Sequence, residues 1–538
     1  MKRSNIKLSH QSFVFLLIVF CSAVVNAQGK SFTFCAEASP ISFNSQIAND
    51  AATFNAASRT MYNRLVGFEN GSTRVAPSLA REWTVSPSGK EFTFRLREGV
   101  RFHTTDYFKP TRPLNADDVI FSFERMRDPK HPFHKVSGGQ YPFFKSQQMG
   151  DTVDKIEKID ERTIKIKLHR PEAPFLANLA MDFMSILSAE YGQKLIKEKR
   201  PLEDMDQKPV GTGPFVFVSY EKNKRISYRS HPDYFEGRSA ADRLDFIIVT
   251  DPEERLRKLA ANECQLMPDP SPAGIAKIKA NADLKLMQQP GLNIAYLAMS
   301  VQRQPFANIS VRKAIHHALN RESYIKEVFG GNAQVAKNPI PPTMWSYSRR
   351  TQDYEYSVAK SLAHLQKAGL PNGFETELWY ADVSRPYNPN SKRMAELIQK
   401  DLAAVGIRVK IRVFEWQDFL ARSRNGEPPM SLQGWTGDNG DPDNFLNNLL
   451  SCQSIASGNN RARWCDKEFS FRIDRARVTT DIRQRTKFYE DAQRIFKEQV
   501  PWVTIAHSIA FKAARKGAEG FKVSPFGVIE FHKAKVVD

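Results

Sequence analysis

Alternating apolar and polar residues mark several stretches of this chain as strands with one buried face. In 92-FTFRLREGVRF-102, Phe92, Phe94 and Leu96 point one way. In 162-RTIKIKL-168, Ile164, Ile166 and Leu168 turn inward, and Lys165 and Lys167 turn outward. In 407-IRVKIRVF-414, Ile407, Val409, Ile411 and Val413 share a face. Other stretches follow the helical period. Met394, Leu397, Ile398, Leu402 and Val405 fall on one side of a helix, and Gly406 is placed to end it. Strand 407–414 follows at once, so helix and strand form an α–β unit. A second helix is predicted in 311-VRKAIHHAL-319, where Val311, Ala314, Ile315 and Ala318 share one side. This mixture predicts an α/β fold with helices packed on sheets. No short tandem repeat or low-complexity linker divides the chain.

The first 27 residues depart from this pattern. Lys2, Arg3 and Lys7 precede the unbroken apolar run 13-FVFLLIVF-20, and Val25-Asn26-Ala27 supplies small residues before Gln28. That is the layout of a secretory signal peptide cleaved after Ala27. Cys21 raises a lipoprotein alternative, but the large Phe20 stands where such sites want a small residue. No later stretch reaches the ~18 apolar residues of a spanning helix, so the mature chain is expected to be exported and soluble.

Composition then bounds the class. The 538 residues, 41% hydrophobic and 25% charged, are ordinary globular material. That length corresponds to roughly three to four domain-sized units. Four cysteines follow the signal segment: Cys35, Cys264, Cys452 and Cys465. An even count in an exported chain reads as two disulfides, with three pairings open. A local Cys452–Cys465 loop is the simplest choice. It leaves Cys35–Cys264, a long bridge implying a domain assembled from discontinuous pieces. Zinc is a weak alternative, because neither CxxC nor HExxH occurs. Loss of Lys2, Arg3 and Lys7 lowers the formal charge from +19 to +16. Such a charge favours anionic ligands or envelope surfaces at long range. The basic residues are spread along the chain and no nucleic-acid motif is present.

Motifs for catalysis are scarce. His316 and His317 are adjacent, so on a helix they point about 100° apart and cannot share a metal as an i,i+4 pair does. 211-GTGPF-215 lacks the Lys-Ser/Thr of a phosphate loop and reads as a turn into a strand. There is no Gly-x-Ser-x-Gly elbow. The exception is 434-GWTGDNGDPDNF-445, with three aspartates and three glycines in twelve residues. It fails as an EF-hand: counted from Asp438, glycine comes third, proline fifth, and no glutamate closes the loop. No metal site, cofactor or catalytic set is therefore predicted.

Over nearly its whole mature length the chain resembles the bacterial extracellular solute-binding proteins of family 5, which serve peptide transporters. The resemblance rests on 113-PLNADDVIFSFERM-126, 134-HKVSGGQY-141, 170-RPEAPFLANLAMDF-183, 209-PVGTGPF-215, 337-KNPIPPTMW-345, 385-RPYNPN-390 and 434-GWTGDNGDPDNF-445. The last two are the more specific to dipeptide-binding members. The resemblance implies a type II periplasmic binding protein fold, with two main lobes, a hinge and a third, extra lobe. Residues 28–62, 212–290 and 509–538 would form the first lobe, 63–211 the extra lobe, and 291–508 the lobe with the main anchoring residues. It also implies the disulfides Cys35–Cys264 and Cys452–Cys465.

By the same resemblance, Asp438 pairs with a dipeptide's α-ammonium and Arg385 with its α-carboxylate. Asp is acceptor-only when ionised, and guanidinium offers a planar fork to a carboxylate. Trp435, Tyr141 and Tyr387 are expected as aromatic walls. Asp441 and Asp443 are expected to shape the turn through local backbone hydrogen bonds. The implied protein is a periplasmic, monomeric, non-enzymatic carrier that closes over a dipeptide and delivers it to an inner-membrane ABC permease. Relatives on this scaffold also bind haem, glutathione or antimicrobial peptides, and some serve chemoreceptors. 427-EPPMSLQ-433 brings two prolines just before the site, a local departure from the pattern. A different class, a secreted hydrolase using Asp438, Asp441 or Asp443 as acid and base, is the competing expectation.

Overall fold

The computed structural model describes Met1, residues 30–48 and residues 50–537. The expected signal peptide and its cleavage site lie outside the described residues. The architecture is mixed α/β, as the periodicities predict. Its largest sheet has 12 strands, organised around one long strand, Trp502–Arg515. The first part of that strand pairs with Asn293–Met299 and Ala333–Val335. The second part pairs with Leu266–Pro268 and Leu284–Pro290. The register changes partners between Ser508, opposite Ala333, and Ile509, opposite Pro290. A single strand thus runs through two differently built halves.

One half continues through Ser31–Ala36, Arg243–Ile248, Arg225–Ser230 and Phe215–Glu221. The other continues from Asn293–Met299 through Met430–Thr436 and Glu375–Ala381 to Arg408–Phe414. Asn293–Met299 (NIAYLAM) is buried along its whole length. An almost wholly apolar strand suits a sheet centre covered on both faces. Separate apolar clusters lie on those faces, one including Leu297 and Ile398, the other Tyr296 and Trp502.

Two segments cross between the halves, near Gly291–Asn293 and near His507–Ile509, and they are tied together. Asn293 Nδ2 donates to Ser508 Oγ at 2.8 Å, and Ser508 N–H donates to Asn293 Oδ1 at 2.9 Å. Gly291 N–H donates to the Ser508 carbonyl at 2.8 Å.

A separate four-stranded antiparallel sheet is built from Ala80–Val85, Glu91–Leu96, Thr163–Leu168 and Val153–Asp160. Phe92, Phe94, Leu96, Ile164, Ile166 and Leu168 are all buried in its own core, on the face the alternation predicts. 211-GTGPF-215 returns the chain to the large sheet at Phe215–Glu221, with Gly213 N–H donating to the Met61 carbonyl.

The predicted α–β unit is present as helix Ser391–Ala403 between parallel strands Glu375–Ala381 and Arg408–Phe414. Gly406 sits at φ +83°, a conformation that costs glycine little. Its N–H donates to the Ala403 carbonyl, and Ile407 N–H donates to Leu402, closing a Schellman turn. The shared face of 407–414 is only partly buried. Val409 is covered, but Val413 is 54% exposed because the strand is the outer edge of the sheet. Helix Ile309–Ala318 buries both His316 and His317, and His317 Nδ1 bonds the Glu355 carbonyl, so both act as core groups. Both expected disulfides form, Cys35–Cys264 and Cys452–Cys465.

Candidate functional site

The acidic stretch links strand Met430–Thr436 to helix Asp443–Leu450 and contacts Gln147 and Asn178, on segments flanking the four-stranded sheet. Its three aspartates have different environments. Asp441 is buried, and Arg485 Nη2 contacts both its oxygens at 2.9 Å while the Tyr489 hydroxyl donates at 3.2 Å. Asp441 also accepts from the Asp443 N–H at 3.0 Å, the local turn bond the sequence predicts for it. Asp443 departs from that expectation. Its carboxylate faces Arg477 at 3.6 Å and accepts from Asn447 Nδ2 at 3.2 Å. Burial pushes its pKa up to about 7, helped by Glu172 and Asp441 and opposed by Arg477. Arg477 in turn donates to Glu172 at 2.8 Å, tying this region to the segment after the four-stranded sheet.

Asp438 has no cationic partner among the described residues. It accepts from Asn444 Nδ2 at 3.3 Å and Gln147 Nε2 at 3.4 Å. Its backbone N–H donates to Asn444 Oδ1, which also accepts from Trp435 Nε1 at 2.9 Å. Asn444 thus fixes the Trp435 ring and the Asp438 carboxylate together. Burial raises the pKa of Asp438, and the two amide hydrogen bonds only partly offset it.

Asp438 lines a cavity of about 410 Å3 with Arg385, Tyr387, Trp435, Tyr296 and Arg461. The Tyr387 ring can approach the strand closely because position 434 is glycine: a Cβ there would fall 2.0 Å from the ring. Arg385 stacks over Trp416 with its guanidinium carbon 4.2 Å from the ring centroid, a cation–π contact that orients the side chain. Its buried Nε has no hydrogen-bond partner among the described residues. On its other side Asp438 borders a second chamber of about 300 Å3, lined by Phe54, Phe68, Phe143, Met181 and Phe526. Arg59 reaches that chamber but is already matched by Asp182 at 2.6 Å and by Glu530.

Four of the five expected ligand residues, Asp438, Arg385, Trp435 and Tyr387, therefore surround one cavity. Tyr141 does not. It is 1% exposed, packs in the core of the separate sheet, and donates its hydroxyl to the His134 carbonyl at 2.7 Å. It stands at the head of helix Pro142–Ser146, which leads to Gln147 and so supports Asp438 from behind. Pattern reading missed Tyr296, Trp416 and Arg461. Arg461 carried a usable signal: it lies inside the short loop closed by Cys452 and Cys465. Among the described residues no group of His, Cys, Asp and Glu could hold a metal ion, and no helix is long and apolar enough to cross a membrane.

Comparison with known proteins agrees with this architecture. Residues 74–457 match the model of bacterial extracellular solute-binding proteins, family 5 (middle). The dipeptide-binding protein of Escherichia coli is 44% identical over 534 residues, 99% of this chain and 100% of that protein. Heme-binding protein A of Haemophilus influenzae is 43% identical over 511 residues, 95% of this chain and 93% of its own. The solved structure of HbpA2 from Haemophilus parasuis superposes with a TM-score of 0.92 at 40% identity, covering 94% of this chain and 100% of its own. A dipeptide-binding protein from Pseudoalteromonas sp. SM9913, in complex with Met-Leu, gives 0.70 at 36% identity, covering 94% and 100%. The fold is thus the type II periplasmic binding fold, and this is a family of solute binders rather than of enzymes. The chain belongs to the bacterial extracellular solute-binding proteins of family 5.

Proposed function

We propose that this protein captures dipeptides outside the inner membrane and delivers them to an ABC permease. One observation carries the reading: a half-buried carboxylate, Asp438, and a half-buried guanidinium, Arg385, face the same cavity with no counter-ion among the described residues. Leaving such charges unmatched on closure would cost several kcal/mol each. A dipeptide zwitterion supplies both partners, its α-ammonium to Asp438 and its α-carboxylate to Arg385. Two fixed charges also act as a ruler, because a tripeptide displaces its carboxylate by about 3.5 Å. Trp435 and Tyr387 wall the peptide. The flanking chambers leave room for varied side chains, within the usual size of ligand pockets.

The lobes are 28–62 with 212–290 and 509–538, then 63–211, then 291–508. The change of strand partners between Ser508 and Ile509 supports the boundary at that point. The crossings at Gly291–Asn293 and His507–Ile509 serve as the hinge, and ligand favours the closed form by touching both sides. Export to the periplasm with cleavage after Ala27 completes the scheme.

Titration calorimetry with dipeptides, a tripeptide, glutathione and haem tests it. Dipeptides are expected to bind best, and Asp438→Ala is expected to lose at least 100-fold in affinity. Unchanged binding in that variant would sink the assignment of Asp438. Haem binding tighter than any dipeptide, or cleaved peptide recovered after incubation, would overturn the carrier reading.

A further inference from the structure

The cavity holds more positive charge than a simple dipeptide can use. Its wall carries three guanidinium groups, Arg385, Arg424 and Arg461, against one carboxylate, Asp438. A zwitterion engages one of each. Arg424 is exposed and can be screened by water. Arg461 is half-buried and shares its part of the wall with Tyr296 and Tyr387.

Half-buried Arg461 is less completely paired than several other arginines drawn into the fold. Arg59, Arg125, Arg477 and Arg485 each meet a carboxylate, from Asp182, Asp206, Glu172 and Asp441. Arg312 lacks one among the described residues but donates to four backbone carbonyls, those of Phe306, Ala307, Gln499 and Val500. Arg461 has one hydrogen bond, from Nη1 to the Gly458 carbonyl at 2.7 Å, and no carboxylate partner among the described residues. Burial disfavours its charge, and neighbouring Arg424 adds to that. Its loop is nevertheless held firmly. The Cys452–Cys465 disulfide closes it, and Asn460 Nδ2 donates to the carbonyls of Ser451 and Trp464 at 3.1 and 2.7 Å. An arginine held in place with most of its donors free is preorganised for an anion.

We propose that Arg461, flanked by the phenols of Tyr296 and Tyr387, is a second anion subsite, so that the preferred ligand is a short peptide with one ammonium and two carboxylates. This rests on the dipeptide reading and narrows it. Asp438 borders both chambers, so with the ammonium there the first side chain enters the apolar chamber of Phe54, Phe143 and Phe526. The α-carboxylate meets Arg385, and an acidic second side chain reaches Arg461. The same chemistry could come from a γ-glutamyl peptide.

Calorimetry on the full mature protein with Leu-Glu, its uncharged isostere Leu-Gln, and glutathione distinguishes the cases. Leu-Glu is expected to bind at least tenfold tighter than Leu-Gln. Arg461→Met is expected to reduce that ratio to below threefold, and Arg461→Lys to leave it between. Glutathione binding tighter than Leu-Glu, and losing that advantage in Arg461→Met, assigns the subsite to γ-glutamyl peptides. Equal affinity for Leu-Glu and Leu-Gln in the wild-type protein overturns the subsite alone, as does a ratio that Arg461→Met leaves intact. The wild-type comparison stands even if a variant fails to fold. Absence of binding by all three ligands overturns the dipeptide reading itself.

Discussion

Asp438, Asp441 and Asp443 share a six-residue span yet carry three different electrostatic roles. Only Asp438 lacks a cationic partner among the described residues, so under the proposed reading its protonation and an ammonium ligand compete directly. Its pKa is raised by burial in the free protein, and an ammonium in the cavity would lower it again. Affinity for a dipeptide is therefore full above that raised pKa and falls below it, about tenfold per pH unit. Calorimetry from pH 7 downward should show the decline begin above the ordinary Asp range, and Asp438→Asn should remove it. Asp443 makes a separate prediction. Its folded pKa, about 7, exceeds the unfolded value of about 3.9. The folded state then holds the proton more tightly, so this stabilising contribution is complete below the unfolded pKa. It is lost as pH rises through about 7. Urea midpoints measured between pH 5 and 8 should fall with pH in the wild type and flatten in Asp443→Asn. The cluster was visible in the sequence, but its division of labour was not. The partners that decide it, Arg485 and Glu172, lie 44 and more than 260 residues away.

At the scale of elements, local patterns carried most of the information. Helix Ser391–Ala403, its Gly406 terminator and the following strand follow from apolar spacing and one glycine, because each depends only on near neighbours. The exposure of Val413 does not, since a strand's place in the sheet is set by remote pairings. Tyr141 has the same lesson: an aromatic beside a functional motif is as readily a core residue, and burial alone decides. The loop between Cys452 and Cys465 joins stability to function. Closing a loop of this size stabilises by about 3 kcal/mol in the chain-entropy picture. The double variant Cys452→Ser, Cys465→Ser should melt at lower temperature in scanning calorimetry. Because this loop positions Arg461, the variant should also lose discrimination between Leu-Glu and Leu-Gln before it loses Leu-Gln binding.

At the scale of the whole molecule, the α/β class was legible from periodicity, and the long bridge Cys35–Cys264 already implied a discontinuous unit. What no local pattern revealed was a sheet spanning two halves through the single strand Trp502–Arg515. Strand order is decided by residues hundreds of positions apart, such as Ala295 opposite Ala506. The knot of hydrogen bonds between Asn293 and Ser508 sits where that strand changes partners and outside both chambers bordered by Asp438. Under the proposed hinge, loosening it with Asn293→Ala is expected to alter the fraction of molecules ready to close, and such a fraction multiplies every intrinsic affinity alike. Calorimetry with the same peptides should show a common shift of a few-fold, with the ratios between ligands preserved. On this proposal appetite and taste sit in different places: the cavity would rank the peptides, while a single amide between two strands would set how scarce they can become before uptake fails.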